Sequence, residues 1–201
     1  MDIILVRHGA TEAGPGICQG QADTALSNQG FAGVQQLAAN WTGAAPRFLF
    51  SSDLRRAQQS AQIFAAAFAI EPLSDARLRE QDFGTWNGQH WNDIVRADAS
   101  RHHHWQENWV IQEAPDGESF ADVIRRTGAW LAALLGSTAR DDCVLAIAHA
   151  GSIRALLCHA LGLPPGRALA MAVDEACTSR IRYTAGQFEV RHINSTRFEA
   201  N

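Results

Sequence analysis

Lysine is absent from this chain, and all 17 of its basic residues are arginines. Without lysine, the chain has neither the Schiff-base lysine of carbonyl chemistry nor the lysine of a Walker-type phosphate loop. No apolar run approaches the ~18 uninterrupted residues of a membrane span, so we expect no membrane partner. Cysteine is scarce, and its four positions include no CxxC pair. We therefore expect buried free thiols rather than disulfides or a metal site.

The bulk composition is that of a globular protein. Of the 201 residues, 46% are hydrophobic and 19% are charged, and the net charge is −4. This length and composition fit a single domain over residues 1–201, and the negative charge argues against a nucleic-acid partner. Met1-Asp2 leads directly into an apolar run with no basic region or cleavage site. That beginning predicts a cytoplasmic location.

Alternating strand and helix signals predict an α/β fold. Short apolar runs bounded by turn residues indicate strands at residues 3–6, 48–50, 143–148, 180–183 and 188–193. Apolar residues at helical spacing indicate helices at residues 27–40, 53–68, 119–135 and 152–161. We expect Asp53 to cap the second helix and Gly162 to end the last one. The order predicts a three-layer α/β/α sandwich with a mostly parallel sheet and an antiparallel edge strand.

A tryptophan-rich segment interrupts this alternation. Four of the six tryptophans lie between Trp86 and Trp109, among polar residues and the run His102-His103-His104. We interpret residues 86–118 as a helical excursion that covers part of a site, although a surface subdomain anchored by aromatic residues explains the pattern equally well. Most of these tryptophans should anchor a core, and a minority could form an aromatic wall for a substrate ring. We expect no metal site, because consecutive histidines of a helix do not converge on one ion.

The most informative motif is Arg7-His8-Gly9, which follows the first apolar run. A buried strand that ends on an arginine and a histidine places a cation beside an imidazole. It does so at the sheet edge where open α/β proteins bind their ligands. This pair suits an anionic group such as phosphate. Because so short a motif also occurs at ordinary strand ends, it needs support from elsewhere in the chain.

Three further segments supply that support. Arg55 and Arg56 begin a helix after the second strand, and their side chains point about 100° apart, so only one should face the site. His149 ends the third strand and precedes a helix whose first amide groups are ready anion donors. A loop over residues 78–86 carries the carboxylates of Glu80 and Asp82. Their common position at strand and loop ends favours one shared site.

In these segments the chain resembles the histidine phosphatase superfamily, which has the phosphoglycerate-mutase-like fold. The resemblance covers nearly the whole length and is strongest to the alpha-ribazole-phosphatase type branch, on residues 78–88, 115–119 and 149–157. It implies a metal-independent phosphomonoesterase that acts on a small phosphate ester through a phosphohistidine and needs no cofactor. It also places the motif arginine at Arg56 rather than at Arg55.

The resemblance implies a role for each motif residue. His8 is expected to be the nucleophile, kept neutral by adjacent cations, and to attack phosphorus in line. Arg7, Arg56 and His149 are expected to surround the phosphoryl oxygens. In such transfers, positioning and charge stabilisation supply most of the acceleration.

The resemblance also implies an acid–base residue and a substrate side. Glu80 would protonate the leaving alkoxide and then activate water against the phosphohistidine, with Asp82 as the reserve candidate. The residues expected on the substrate side are Thr11, Gln19, Gly20 and, through its N–H, Ala150. Gly14 stands where family members often carry an asparagine that reaches the phosphate. This departure leaves the substrate preference more open than the catalysis.

Other functions remain compatible with the sequence. A phosphoglycerate mutase shares the nucleophile but returns the phosphoryl group to its substrate, for which it must shield the intermediate from water. A non-catalytic phosphate-binding module on the same fold belongs to a different class. The leaving group also stays open among alpha-ribazole 5′-phosphate, a sugar phosphate, phosphoglycerate derivatives and phosphoserine. An antiparallel edge strand could pair across a two-fold axis in a homodimer.

Overall fold

Six strands form one mixed sheet in the computed structural model, which describes residues 1–196; residues 197–201 of the expected domain lie outside it. The strands are β1 (Asp2–Arg7), β2 (Phe48–Ser51), β3 (Pro72–Ser74), β4 (Cys143–Ala148), β5 (Thr178–Thr184) and β6 (Gln187–Ser195). Their order across the sheet is β3-β2-β4-β1-β5-β6. The first four of these are mutually parallel, whereas β5 runs antiparallel to both β1 and β6. The predicted mostly parallel sheet with an antiparallel edge is confirmed.

Residues 1–196 also contain six α-helices, four of which pack on the sheet. The six helices are α1 (Asn28–Ala39), α2 (Arg55–Phe68), α3 (Trp91–Ala97), α4 (Ala99–Asn108), α5 (Phe120–Ser137) and α6 (Ala150–Leu161). Short 3-10 turns occur at Ala76–Leu78, Gly84–Trp86 and Pro165–Ala170.

The sheet is the middle one of three layers. Along β1, Ile3 and Leu5 belong to a core cluster with residues of α5 and α6. Ile4 and Val6 belong to a second cluster with residues of α1 and α2. Successive strand residues point to opposite faces, and none of these four is more than 6% exposed. Burial on both faces explains the continuous apolar runs in the sequence and confirms the α/β/α sandwich.

Capping residues mark the ends of several helices, but one predicted cap differs from the structure. Ser27 caps α1 through its side chain, and Gly162, with φ of 62°, ends α6. The predicted cap at Asp53 is wrong, because Leu54 is the N-cap of α2 and makes no side-chain bond there. Asp53 instead accepts from Arg79 Nε at 2.6 Å. Arg79 Nη2 also donates to Asp53 Oδ2, and this bidentate pair ties the start of α2 to the loop before Glu80.

The tryptophan-rich segment contains α3 and α4 and has a small core of its own. Trp91 and Trp105 are stacked with their ring centroids 6.0 Å apart. Both rings pack edge-on against Phe83, at 5.6 and 5.8 Å. The buried residues of this core are Cys18, Trp86, Ile94 and Ala114. Aromatic packing therefore holds the two short helices against the loop that follows Glu80.

The four cysteines are free thiols. Cys18, Cys158 and Cys177 are buried, as the sequence predicted, whereas Cys143 is half-buried. Burial raises the pKa of Cys18 to about 12 and that of Cys143 to about 11. Between residues 1 and 196, no helix has the length and apolar character needed to cross a membrane.

Candidate active site

The two motif histidines follow neighbouring parallel strands at the same level. Arg7, the last residue of β1, is paired with Ala148, the last residue of β4. His8 and His149 therefore emerge side by side, with ring centroids 5.0 Å apart and both side chains buried. The register of one strand pair brings together residues from opposite ends of the chain.

The hydrogen bonds of His8 determine which ring nitrogen is free to react. Nδ1 lies 2.7 Å from the Gly9 carbonyl oxygen and must donate to it, because a carbonyl only accepts. Nε2 accepts from Arg56 Nε at 3.2 Å. Burial, and then the charges of Arg56 and Arg7, lower the pKa of His8 well below its usual value. His8 is therefore a neutral imidazole with its lone pair on Nε2.

Arg56 is fixed in place by backbone carbonyls. Its side chain is buried, with 1% exposure, whereas the neighbouring Arg55 is exposed. Nη2 donates to the Gly20 carbonyl at 2.6 Å, and Nη1 donates to the Ala22 carbonyl at 2.8 Å. Together with the bond from Nε to His8, the planar guanidinium engages three acceptors at once. Gly20 thus contributes to the site through its carbonyl, which orients Arg56.

Arg7 brings a second cation to the end of β1. Its Nη1 donates to the Val173 carbonyl at 2.8 Å, and its Nη2 lies 3.5 Å from the Glu175 carboxylate. Its Nε is buried and has no hydrogen-bond partner within residues 1–196. One donor of Arg7 is therefore unused by the described protein.

His149 is anchored at the junction of β4 and α6. Its Nε2 lies 2.9 Å from Ser52 Oγ, just beyond the end of β2, and its backbone N–H donates to Ser152 Oγ at 3.1 Å. Burial, and then the charge of Arg56, lower the pKa of His149 well below its usual value. The side chain is consequently a second neutral imidazole next to His8.

Glu80 reaches the start of α6 from the opposite loop. Its Oε1 accepts from the backbone amides of Gln81 and Gly151, each at 2.9 Å, and its Oε2 lies 3.2 Å from the Gly151 amide. A Cβ atom at position 151 would collide with Glu80 Oε1. Only glycine lets the carboxylate approach the helix this closely.

Asp82, the reserve carboxylate, is used within its own loop. Its Oδ1 accepts from the Gly84 amide at 2.8 Å and from Asn87 Nδ2 at 2.6 Å. These bonds hold the turn that follows Glu80. The two carboxylates therefore have different environments, and Glu80 is the one placed against α6.

The residues predicted on the substrate side differ in what they contact. Thr11 Oγ1 and Gln19 Oε1 are buried and lack hydrogen-bond partners among the described residues. Gln21, rather than Gln19, contacts the acid–base loop, since its Nε2 donates to the Glu80 carbonyl at 3.1 Å. Gly14 lies in a turn with φ of 72°, and a Cβ there would meet nothing within 4 Å.

A cavity of about 540 Å³ adjoins Glu80. Glu80, Ala150 and Gly151 form its end nearest the histidines, and Arg154 borders it with Nε bonded to the Met171 carbonyl at 2.9 Å. Its walls are largely aromatic and are formed by Phe83, Trp91, Trp105, Trp109 and Phe120. A pocket with several rings and few polar groups suits a ligand that has a planar apolar body.

The histidine run does not form a metal cluster. His102 packs its ring against Trp86, Trp91 and Trp105 at 6.0–6.1 Å and also borders the cavity. His103 instead pairs with Glu107 on the surface at 3.4 Å. Within residues 1–196, no group of three or more histidine, cysteine or carboxylate residues is arranged to hold a metal ion.

Comparison with known proteins identifies the family. Residues 3–196 match the model of the histidine phosphatase superfamily, branch 1. The chain belongs to the histidine phosphatase superfamily.

Relatives of this histidine phosphatase include named phosphatases. The adenosylcobalamin/alpha-ribazole phosphatase of Escherichia coli is 27% identical over 97% of this chain and 96% of that protein. The alpha-ribazole phosphatase of Shigella flexneri superimposes with a TM-score of 0.92 at 26% identity, covering 100% of both chains. A mycobacterial glucosyl-3-phosphoglycerate phosphatase in complex with VO3 superimposes at 0.87 and 29% identity, covering 96% of this chain and 98% of that one. These likenesses confirm the phosphoglycerate-mutase-like fold.

Several residues that shape the site were not singled out from the sequence. Ser52 contacts His149, Gln21 contacts the Glu80 carbonyl, and Arg126 binds the same carbonyl at 2.9 Å. Ser52 and Gln21 lie close to a motif in the sequence, and that proximity was their only signal. Arg126 lies in the middle of an ordinary amphipathic helix and carried no signal.

Proposed function

We propose that this histidine phosphatase hydrolyses small phosphate monoesters through a covalent phosphohistidine on His8. The observation that carries the proposal is the neutral imidazole of His8, whose Nε2 lone pair faces the guanidinium of Arg56. A phosphoryl dianion needs a cation for its oxygens and a nucleophile for its phosphorus at the same point. Arg56 is that cation and His8 is that nucleophile, and the two are hydrogen-bonded to each other.

In the first step, His8 Nε2 forms a bond to phosphorus while the bond between phosphorus and the ester oxygen breaks. Arg7, Arg56 and His149 stabilise the phosphoryl oxygens, and the carboxyl group of Glu80 gives its proton to the leaving oxygen. We assign that proton to Glu80 Oε2, because Oε1 accepts two backbone amides at 2.9 Å, whereas Oε2 makes one longer contact, at 3.2 Å from the Gly151 amide. The alcohol departs as a neutral molecule.

In the second step, the Glu80 carboxylate takes a proton from water. The water oxygen then bonds to phosphorus as the bond from phosphorus to His8 Nε2 breaks. Inorganic phosphate leaves, the lone pair returns to His8, and Glu80 is protonated again. The Ala150 N–H, at the start of α6, contributes an amide to a phosphoryl oxygen, and Thr11 and Gln19 face the substrate.

We further propose that the leaving group occupies the aromatic cavity beside Glu80. Five rings border a space of about 540 Å³, and Arg154 supplies a cation next to it. Alpha-ribazole 5′-phosphate fits this arrangement, because its ribose lies next to the ester oxygen and its planar base extends beyond the ribose. The names of the alpha-ribazole phosphatases that this chain resembles support the same choice.

The direct test is phosphate release from a panel of monoesters in the presence of a chelator. We expect the largest kcat/KM for alpha-ribazole 5′-phosphate, and smaller values for a sugar phosphate, phosphoserine and 3-phosphoglycerate. Activity should survive the chelator, because arginines provide the positive charge that phosphoryl transfer needs. Absence of turnover across the panel, with a phosphate analogue still bound, would instead support a non-catalytic module.

A phosphoglycerate mutase is the less favoured alternative. It would need to exclude water from the phosphohistidine. The cavity beside Glu80 is wide and mainly aromatic, which suits a bulky leaving group better than a three-carbon acid. Interconversion of phosphoglycerates without release of phosphate would overturn the assignment.

The organisation of the active protein is also part of the proposal. We propose that the chain acts as one domain, with α3 and α4 covering the leaving-group side. The edge strand β6 offers a surface for pairing with a second copy, and light scattering of the purified protein tests that homodimer. The cytoplasmic location stays a prediction.

A further inference from the structure

We propose that Arg126, together with Glu118, is a positioning residue that holds Glu80 ready for proton transfer. This inference rests on the proposed function, since it requires Glu80 to be the acid–base residue. Neither side chain borders the aromatic cavity or bonds to His8. The charge of Arg126 contributes to the lowered pKa of His149, after burial and the charges of Arg56 and His8. The hydrogen bonds of both side chains, however, go to the loop that carries Glu80 and to each other.

The loop around Glu80 lacks regular structure and takes most of its hydrogen bonds from side chains. Between the 3-10 turns Ala76–Leu78 and Gly84–Trp86, residues 79–83 have neither helical nor strand bonding. Backbone groups in such a segment need other partners, and an unpartnered segment samples several conformations. The position of Glu80 therefore depends on the residues that form hydrogen bonds with this loop.

Arg126 binds two carbonyl groups of this segment and one of the 3-10 turn before it. Nη1 donates to the carbonyls of Arg77 and Arg79, at 2.8 and 2.7 Å, and Nη2 donates to the carbonyl of Glu80 at 2.9 Å. Because Arg126 lies on the long helix α5, it ties the irregular chain to a rigid element. A planar guanidinium reaches all three acceptors, which an ammonium group does not.

Glu118 completes the arrangement on the other side of Glu80. Its carboxylate accepts from Arg126 Nη2 at 2.7 Å and Nε at 3.1 Å, and its Oε1 also accepts from the Asp82 amide at 2.9 Å. The Gln81 side chain donates to the Glu118 carbonyl at 3.0 Å. Both charged side chains are only 18% exposed. The pair thus holds the backbone before and after Glu80.

This arrangement gives a function to a motif that the proposed mechanism leaves unused. Residues 115–119 carry part of the family resemblance, yet none of them contacts the histidines through a hydrogen bond in the described structure. Glu118 lies in that stretch and acts on Glu80 through Arg126 and the loop. A displacement of about 1 Å at a reacting group is enough to slow a reaction by about 100-fold.

The leaving-group dependence of kcat/KM provides the test. We compare p-nitrophenyl phosphate with phenyl phosphate. The p-nitrophenolate ion departs without protonation, whereas phenol has a pKa of about 10, like tyrosine, and needs a proton to leave. In the wild-type protein, proton donation by Glu80 should keep this dependence shallow. For Arg126→Met and Glu118→Gln, we expect phenyl phosphate turnover to fall by about 100-fold, with p-nitrophenyl phosphate nearly unchanged.

Controls separate positioning from loss of fold. Arg125→Met is the matched control, because Arg125 is adjacent on α5, is 77% exposed and pairs with Asp122 rather than with the loop that carries Glu80. The ratio of the two kcat/KM values does not depend on the fraction of folded protein, so partial unfolding does not mimic the effect. Arg126→Lys serves if Arg126→Met does not fold, and should show a weaker form of the same change.

Glu80→Gln distinguishes the two levels of the proposal. If Glu80→Gln leaves the leaving-group dependence shallow, or the wild-type protein has no turnover, the proposed function itself fails. If Glu80→Gln steepens the dependence but Arg126→Met, Arg126→Lys and Glu118→Gln do not, the positioning role is overturned and the proposed function stands.

Discussion

Arg56 donates its Nε–H directly to the Nε2 lone pair of His8, across 3.2 Å. Burial and then the charge of this guanidinium keep the imidazole neutral, and the hydrogen bond points the reactive nitrogen at the group that will bind the phosphoryl oxygens. When a phosphate ester binds, its oxygens replace Nε2 as the acceptors of Arg56, and the lone pair becomes available to phosphorus. Substrate binding and activation of the nucleophile are thus one event in this account.

Replacing Arg56 by lysine should damage this coupling. An ammonium group cannot reach His8, the Gly20 carbonyl and the Ala22 carbonyl together, as the guanidinium does. We expect kcat/KM to fall by about 10²–10³-fold, the usual cost of losing a transition-state donor. Arg55→Lys, at the exposed neighbouring position, is the control and should retain activity. Equal activity of the two variants would contradict the assigned role.

The two buried histidines should make stability depend on pH. The folded-state pKa values of His8 and His149 lie well below the unfolded value of about 6.5. Their contribution is fully present above about 6.5 and is lost as the pH falls towards the folded-state values, because the unfolded chain then binds protons that the folded one does not.

Urea unfolding at a series of pH values measures this effect. Each histidine contributes up to about 1.4 kcal/mol per pH unit to the decline in the free energy of unfolding below about pH 6.5. His149→Gln should reduce the slope, whereas His103→Gln, at a surface position 71% exposed, should not. A free energy of unfolding that stays constant from about pH 7 to about pH 5 would contradict the prediction.

Adding a methyl group at Gly151 should displace the acid–base residue. The Cβ of Gly151→Ala would collide with Glu80 Oε1, which now accepts from the Gly151 amide. We expect a fall in kcat/KM of about 100-fold for substrates with a poor leaving group. Gly136→Ala on α5 is the control, since its Cβ would meet nothing within 4 Å. A drop of the same size in both variants would point to a general effect of alanine in a helix.

The aromatic cavity should discriminate between leaving groups. Trp105 borders it and packs against Trp86 and Phe83 at 5.5 and 5.8 Å. Because an aromatic contact is worth about 0.5–1.5 kcal/mol, Trp105→Ala should lower kcat/KM for alpha-ribazole 5′-phosphate by up to about 10-fold. The value for phosphoserine should change little.

A matched tryptophan checks that the effect is local. Trp41 packs against Phe64 and Phe68 on the other face of the sheet, away from the cavity. Trp41→Ala should affect stability but leave the ratio of the two substrates unchanged. An equal loss of kcat/KM for both substrates in Trp105→Ala would show that the cavity does not determine the specificity.

The central part of the site could be predicted because its positions follow from sheet geometry. β1 and β4 are buried on both faces, so each appears in the sequence as a continuous apolar run. The first residue beyond each strand then lies at the same edge of a parallel sheet. That rule brings His8 and His149 together. Helical spacing predicts only that one of Arg55 and Arg56 faces the site, and the family resemblance selected Arg56.

The partners of individual side chains could not be predicted in this way. Asp53 was expected to cap α2 but binds Arg79, because the loop that carries Arg79 passes close to it in the fold. Arg126 lies on a helix whose sequence gives no sign of the irregular carbonyls it binds. Both outcomes depend on where loops pass, and loops carry no periodic signal.

Detection of phosphohistidine on His8 tests the central claim most directly. The wild-type protein is mixed with substrate, quenched in base within the first turnover, digested and examined by mass spectrometry. We predict one phosphoryl group on the peptide that contains His8, none on the peptide that contains His149, and neither label nor turnover in His8→Ala. Turnover without a labelled His8, or wild-type turnover by His8→Ala, would contradict the account.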